Sequence, residues 1–77
     1  MTSFSILLTS VNDVKEFVDA ASRCRCEVDV RADRYVVNGK SIMGLFSIDL
    51  SRPVTVEVED EAQGGSLKTT VSAFLAK

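Results

Sequence analysis

Ser41 is the residue around which chemistry in this sequence can be built. It follows Gly39-Lys40 and precedes Ile42-Met43-Gly44-Leu45-Phe46-Ser47, so a hydroxyl stands where a strand hands over to a short apolar run. A serine there suits a helix N-cap, its oxygen accepting a backbone N–H two or three residues on. The same place suits a phosphate, because free helical N–H groups and the positive end of the helix dipole favour added negative charge. Lys40 beside it would add a screened attraction of under about 1 kcal/mol. A purely structural reading makes Ser41 a cap and places Ile42, Leu45 and Phe46 in the core. A functional reading makes Ile42, Met43 and Phe46 an apolar docking patch. Spacing permits both, since Ile42, Leu45 and Phe46 form one stripe and Met43 lies off it.

Other reactive groups are weaker candidates. Gly39-Lys40-Ser41 lacks the upstream glycine of a phosphate-binding loop, and the chain is too small for a nucleotide fold. Cys24 and Cys26 are the only cysteines. Read as part of a strand, their side chains share a face, a poor geometry for a mutual disulfide. Two thiols without a histidine cannot complete a tetrahedral zinc site. They read as reduced thiols of a reducing compartment. Asp13 could form an acyl phosphate, but an aspartate at a helix start is far more often a cap. No histidine occurs anywhere, so there is no thiol–histidine pair, and no paired carboxylates stand out. Neither an independent enzyme nor a cofactor or metal site is expected.

The net charge is −2. Arg23, Arg25, Arg31 and Arg34 alternate with Glu27, Asp29 and Asp33, a solvated face rather than a track for nucleic acid. Seventy-seven residues make one domain, residues 1–77. A chain of this size buries about 60–65% of the surface its unfolded form exposes, so it has one modest core. Its apolar runs fall far short of the roughly 18 residues of a membrane span. Met1-Thr2-Ser3 opens straight into Phe4-Ser5-Ile6-Leu7-Leu8 with no basic segment, which reads as cytoplasmic rather than secreted.

The elements that must hold Ser41 follow from periodicity. Phe4 to Leu8 alternates as a first strand with Phe4, Ile6 and Leu8 on one face. Val14, Phe17, Val18 and Ala21 give the stripe of an amphipathic helix over Asn12 to Ser22. Arg25 to Arg31 alternates strictly, turning Cys26, Val28 and Val30 inward. Ala32-Asp33-Arg34 then turns the chain into a short strand Tyr35 to Asn38, giving a hairpin. A short helix from about Ser41 to Ser47 and a loop ending at Pro53 lead to the strand Val54 to Glu59. Gly64-Gly65 would weaken a helix by roughly 2 kcal/mol relative to alanines, so the last helix is expected to start at a Ser66 cap and carry Leu67, Val71, Phe74 and Leu75. Strands with one apolar face suit an α+β fold, an antiparallel or mixed sheet covered on one side.

This order, with a middle helix opening on Lys-Ser, resembles the histidine-containing phosphocarrier protein (HPr) family of the bacterial sugar phosphotransferase system. The likeness is strongest in Lys40-Ser41-Ile42-Met43-Gly44, which looks like the family's regulatory-serine motif. It extends through Leu45 to Leu50 and Pro53-Val54-Thr55-Val56, with Phe17 to Ala21 and Cys26 to Val30 at suitable places, nearly the whole chain. The resemblance implies an open-faced β-sandwich, β-α-β-β-α-β-α, with strands ordered 1-4-2-3. It implies that Ser41 is the position a dedicated kinase phosphorylates in some members, with Lys40, Ile42, Met43 and Phe46 as the partner-binding surface around it. Partners would be a phosphotransferase-system enzyme, a serine kinase or a transcription regulator in carbon catabolite regulation, met by a monomer or weak dimer.

The family's carrier chemistry needs a histidine at the start of the first helix, with an arginine nearby. The matching stretch, Thr9-Ser10-Val11-Asn12-Asp13, has neither and looks several residues shorter than the family's Gly-Leu-His-Ala-Arg-Pro. Phosphoryl relay through histidine is excluded by composition. Catabolite-repression HPr-like proteins keep the serine and lose the histidine, and this chain is similar in that respect. Two other expectations stand beside that one: an interaction module unrelated to sugar uptake, and a phosphotransfer component with a non-histidine acceptor.

Overall fold

Alternating apolar residues build a four-stranded sheet in the computed structural model, which describes residues 1–76. The strands are β1 (Thr2–Ile6), β2 (Val28–Ala32), β3 (Tyr35–Asn38) and β4 (Val54–Val58). The helices are α1 (Val11–Ser22), α2 (Ile42–Phe46) and α3 (Glu61–Thr70), followed by a 3₁₀ turn at Ser72–Phe74. The sheet is antiparallel with order β1-β4-β2-β3. This is the expected fold.

Cross-strand register aligns the apolar residues into one layer. Phe4 and Val30 both pair with Val56, Ile6 pairs with Val54, and Val28 pairs with Val58. All seven are buried, and Val14, Phe17, Ala21, Leu45 and Leu67 close over them from the helices. On the opposite face Arg31 donates from Nε and Nη2 to Glu57 Oε1, at 3.3 and 3.1 Å, across the β2–β4 pair. The β2–β3 hairpin turns at Asp33, whose φ of 54° lies in the left-handed region that aspartate tolerates better than most residues.

Most boundaries fall within two residues of expectation, and three differences have a physical cause. β1 leaves the sheet at Ile6 rather than Leu8, because its partner β4 starts just after Pro53, which has no N–H to offer. Leu8 is still buried. β2 starts at Val28, three residues after the predicted Arg25, because the chain must first cross from the end of α1 to the sheet and bends at Arg25–Cys26. Cys26 is therefore off the strand. The largest correction is α3. Asp60, not Ser66, is its N-cap, accepting from the Ala62 N–H at 2.9 Å, and the helix runs straight through both glycines. Packing overrides propensity there: a Cβ on Gly64 would overlap Thr2 Cβ, so the glycine lets α3 approach β1.

After α3 the chain returns to the outer edge of β1. Leu7 N–H donates to Phe74 O at 2.8 Å, Leu75 bridges Ile6, and Ala76 N–H donates to Ser5 O at 3.0 Å. Val71 is buried under this return, while Phe74 and Leu75 are half-buried.

Candidate functional site

Ser41 sits where β3 hands over to α2, and a chain of short-range bonds fixes it. Gly39 N–H donates to Val28 O at 2.7 Å, and Asn38 Oδ1 accepts the Lys40 N–H at 2.9 Å in an Asx turn. Asn38 O then accepts the Ser41 N–H at 3.0 Å. Ser41 is the N-cap of α2: its Oγ accepts the Gly44 N–H at 3.1 Å and its carbonyl accepts the Leu45 N–H at 3.1 Å. Gly44 lies against β3, where an added Cβ would stand 3.4 Å from Val37 Cβ.

α2 divides into a buried and an open side. Leu45 is fully buried and Ile42 is half-buried against the core. Met43 is 75% exposed and Phe46 is 45% exposed. This corrects the purely structural reading, in which Phe46 joined Leu45 inside. A five-residue helix laid along β3 has room to bury one side only, and Phe46 falls at its rim.

Phe46 lines a groove of about 450 Å³ with Leu8, Val11, Val14 and Leu50, between the start of α1 and the loop after α2. Val11, one residue ahead of the helix start expected at Asn12, is 58% exposed there. Its signal was an apolar side chain standing alone among Thr9, Ser10, Asn12 and Asp13, three residues ahead of Val14 on the helical stripe.

The adjoining helix start is structural. Ser10 caps α1 by accepting the Asp13 N–H at 3.1 Å, and Asp13 Oδ2 accepts the Thr9 N–H and hydroxyl, each at 3.0 Å. The pair works like a capping box displaced by one residue, since Asp13 reaches back to Thr9 rather than to the N–H of the N-cap Ser10. The Thr9 backbone bond, more than the Thr9 and Ser10 side chains, holds the Asp13 carboxyl below its ordinary value. Asp13 is thus tied into the cap rather than free as an acceptor.

Lys40 is adjacent to Ser41 in sequence, but its ammonium donates to the Cys24 carbonyl at 2.7 Å. A phosphate on Ser41 would compete with that bond. Cys24 and Cys26 are free and half-buried. Among the described residues no three histidine, cysteine, aspartate or glutamate side chains cluster to hold a metal ion, and no helix is long and apolar enough to cross a membrane.

A family model described as the PTS HPr component phosphorylation site matches residues 12–76. The match begins just after Thr9-Ser10-Val11, and the sequence contains no histidine. Among solved structures, the chain is similar to HPr from Thermoanaerobacter tengcongensis, at 26% identity over 96% of this chain and 91% of that one, with a TM-score of 0.80. It is also similar to the catabolite repression containing protein Crh of Bacillus subtilis, described as a swapped dimer, at 26% identity, 94% and 88% coverage and a TM-score of 0.67. The phosphocarrier HPr of Bacillus anthracis shares the fold at 21% identity, with 95% of each chain covered and a TM-score of 0.73. The chain has no significant match among curated proteins. With a family model covering most of its length and the 1-4-2-3 sheet under it, this chain belongs to the HPr family of phosphotransferase-system components.

Proposed function

We propose that this chain is a regulatory protein-binding member of the HPr family that does not carry phosphate on histidine. Its docking surface is Lys40, Ile42, Met43 and Phe46, and Ser41 is the switch within it. The observation that carries this reading is a capped serine flanked by exposed Met43 and Phe46 in a chain with no histidine. Exposed apolar side chains are unremarkable singly, but two on one short helix beside an apolar groove make a patch with a purpose. The likeness to a catabolite repression protein supports the regulatory side of the reading. The protein would work in the cytoplasm on protein partners, with no cofactor.

Phosphorylation of Ser41 would add nearly two negative charges to the patch without refolding it, because the helix N-terminus accommodates them. The test is incubation with the family's serine kinase and ATP. A peptide containing Ser41 gains the mass of one phosphoryl group; an unmodified peptide sinks the switch. Incubation with phosphoenolpyruvate and the first enzyme of the phosphotransferase system yields no acid-labile phosphate, because Asp13 is committed to its cap. Labile phosphate there would favour carrier chemistry on another residue.

A further inference from the structure

The peptide unit joining Cys24 to Arg25 is held from both sides. Its carbonyl accepts the Lys40 ammonium at 2.7 Å, and its N–H donates to the side-chain oxygen of Gln63 in α3. One planar group therefore ties the residue before Ser41 to the first turn of α3. The side chains on either side of that tie are Cys24 and Cys26, both half-buried free thiols packed at the edge of the core. In an extended strand residues i and i+2 lie about 6.7 Å apart, at the outer limit of the range a disulfide accepts. Here β2 starts only at Val28 and the backbone bends at Arg25–Cys26, so the pair is not held to extended-strand spacing.

We propose that Cys24 and Cys26 close into a reversible disulfide by exchange with a small-molecule disulfide such as glutathione disulfide, and that closure turns the Cys24–Arg25 peptide out of its bonds to Lys40 and Gln63. The Cys26 thiolate attacks one sulfur of the small disulfide, forming a mixed disulfide and releasing one thiolate. The Cys24 thiolate then attacks Cys26 Sγ, forming the internal S–S bond and releasing the second thiolate. The two protons lost by the protein end on the released thiolates. The protein gives up two electrons and the small disulfide takes them. Burial, and next the neighbouring Cys26, push the Cys24 thiol up, with Lys40 opposing. That suits Cys24 to the second step, where its target sulfur is held beside it.

The ring encloses the very peptide that carries both bonds, so closure acts directly on that peptide's torsions. Lys40 is then released next to Ser41, whatever the fate of the serine hydroxyl. A ring this small is constrained and readily reduced, as a switch requires and a permanent staple does not.

The test is intact mass and amide hydrogen exchange on the full chain before and after treatment with glutathione disulfide. The oxidised chain loses two hydrogens and both thiols resist alkylation, while Cys24→Ser instead retains one glutathione on Cys26. Exchange at Gly44 and Leu45, and in the first turn of α3, rises about fivefold, the effect of one net hydrogen bond lost on each side. Dithiothreitol restores both readouts. Glutathione adducts that persist on the native chain, cross-links between chains in place of the internal bond, or a closed ring with unchanged exchange would each overturn the proposal.

Discussion

Replacing each of the two adjacent glycines of α3 by alanine should move stability in opposite directions. In a helix interior alanine is favoured over glycine by about 1 kcal/mol. Gly65 has nothing within 4 Å of the point where a Cβ would sit. Gly65→Ala therefore gains about 1 kcal/mol, which raises the Tm of a domain this size by roughly 4–8 °C. At Gly64 the same methyl would overlap Thr2 Cβ and stand 2.7 Å from Thr2 Oγ1. Thr2 Cβ is bonded directly to the β1 backbone and cannot rotate away, so α3 must lift from the sheet. Overpacking of this kind costs about 1–3 kcal/mol, and after the propensity gain Gly64→Ala is left up to about 2 kcal/mol less stable than the native chain. The obstruction is removed in Thr2→Gly, so Gly64→Ala made in that background should regain the propensity benefit. Urea denaturation followed by far-UV circular dichroism measures all four variants, with a coupling of about 1–3 kcal/mol between positions 2 and 64. If Gly64→Ala stabilises as much as Gly65→Ala, or shows no coupling to Thr2, close packing is not the reason for the glycine.

The cap at Ser41 can be separated from any switch: Ser41→Ala loses about 1 kcal/mol and Ser41→Asp, which keeps a capping oxygen, stays within about 0.5 kcal/mol of native in the same urea assay. A silent Ser41→Ala would show that the Gly44 bond contributes nothing. The two sides of α2 should differ as sharply. Leu45→Ala costs about 2–5 kcal/mol, whereas Met43→Ser stays within about 0.5 kcal/mol, and a large loss at Met43 would place that side chain in the core. Acid should destabilise the fold through three exposed carboxylates whose folded values lie below the ordinary 3.8: Asp13 through the Thr9 N–H, Asp49 through the Ser51 hydroxyl and N–H, and Asp60 through the Gln63 side chain and the Ala62 N–H. For each, the unfolded chain binds the proton more tightly. Their contribution is complete above the unfolded carboxylate range and is lost as pH falls through the lower folded values. Urea midpoints that fall steadily below about pH 4 meet this expectation, and midpoints that rise on acidification contradict it.

Much of this was legible from one-dimensional pattern. The stripe of α1, the valines of β4 and the exact extent of β3 follow from periods of 3.6 and 2, which packing here reinforces. Ser41 was legible as a cap because its bond to Gly44 is local, three residues on. What stayed hidden depends on residues far apart in sequence. Nothing near Gly64 announces that Thr2 will press against it, so propensity argued for a later helix start. The regular alternation of Arg25 to Arg31 concealed that β4 ends at Val58 and leaves residues before Val28 little to pair with beyond one bond, from Glu59 N–H to Glu27 O. Phe46 matched the stripe of Ile42 and Leu45, and only the shallow seat of α2 turned it outward. The link from Lys40 to Cys24 joins residues 16 apart, and neither stretch announces the other in the sequence.

The placing of β4 between β1 and β2 also sets an order of events during synthesis. When Phe4 and Ile6 emerge, their partners Val56 and Val54 do not yet exist, and the same is true for Val28 and Val30. The nascent chain can form α1 and the β2–β3 hairpin, but its sheet lacks a middle, with apolar strands facing a gap one strand wide. Long-range pairing of this kind is slow and leaves unpaired edges open to other chains. Val54–Val58 is therefore the segment whose arrival ends that exposure. A substitution that delays β4, even one harmless to the finished protein, would show first as lost yield during expression.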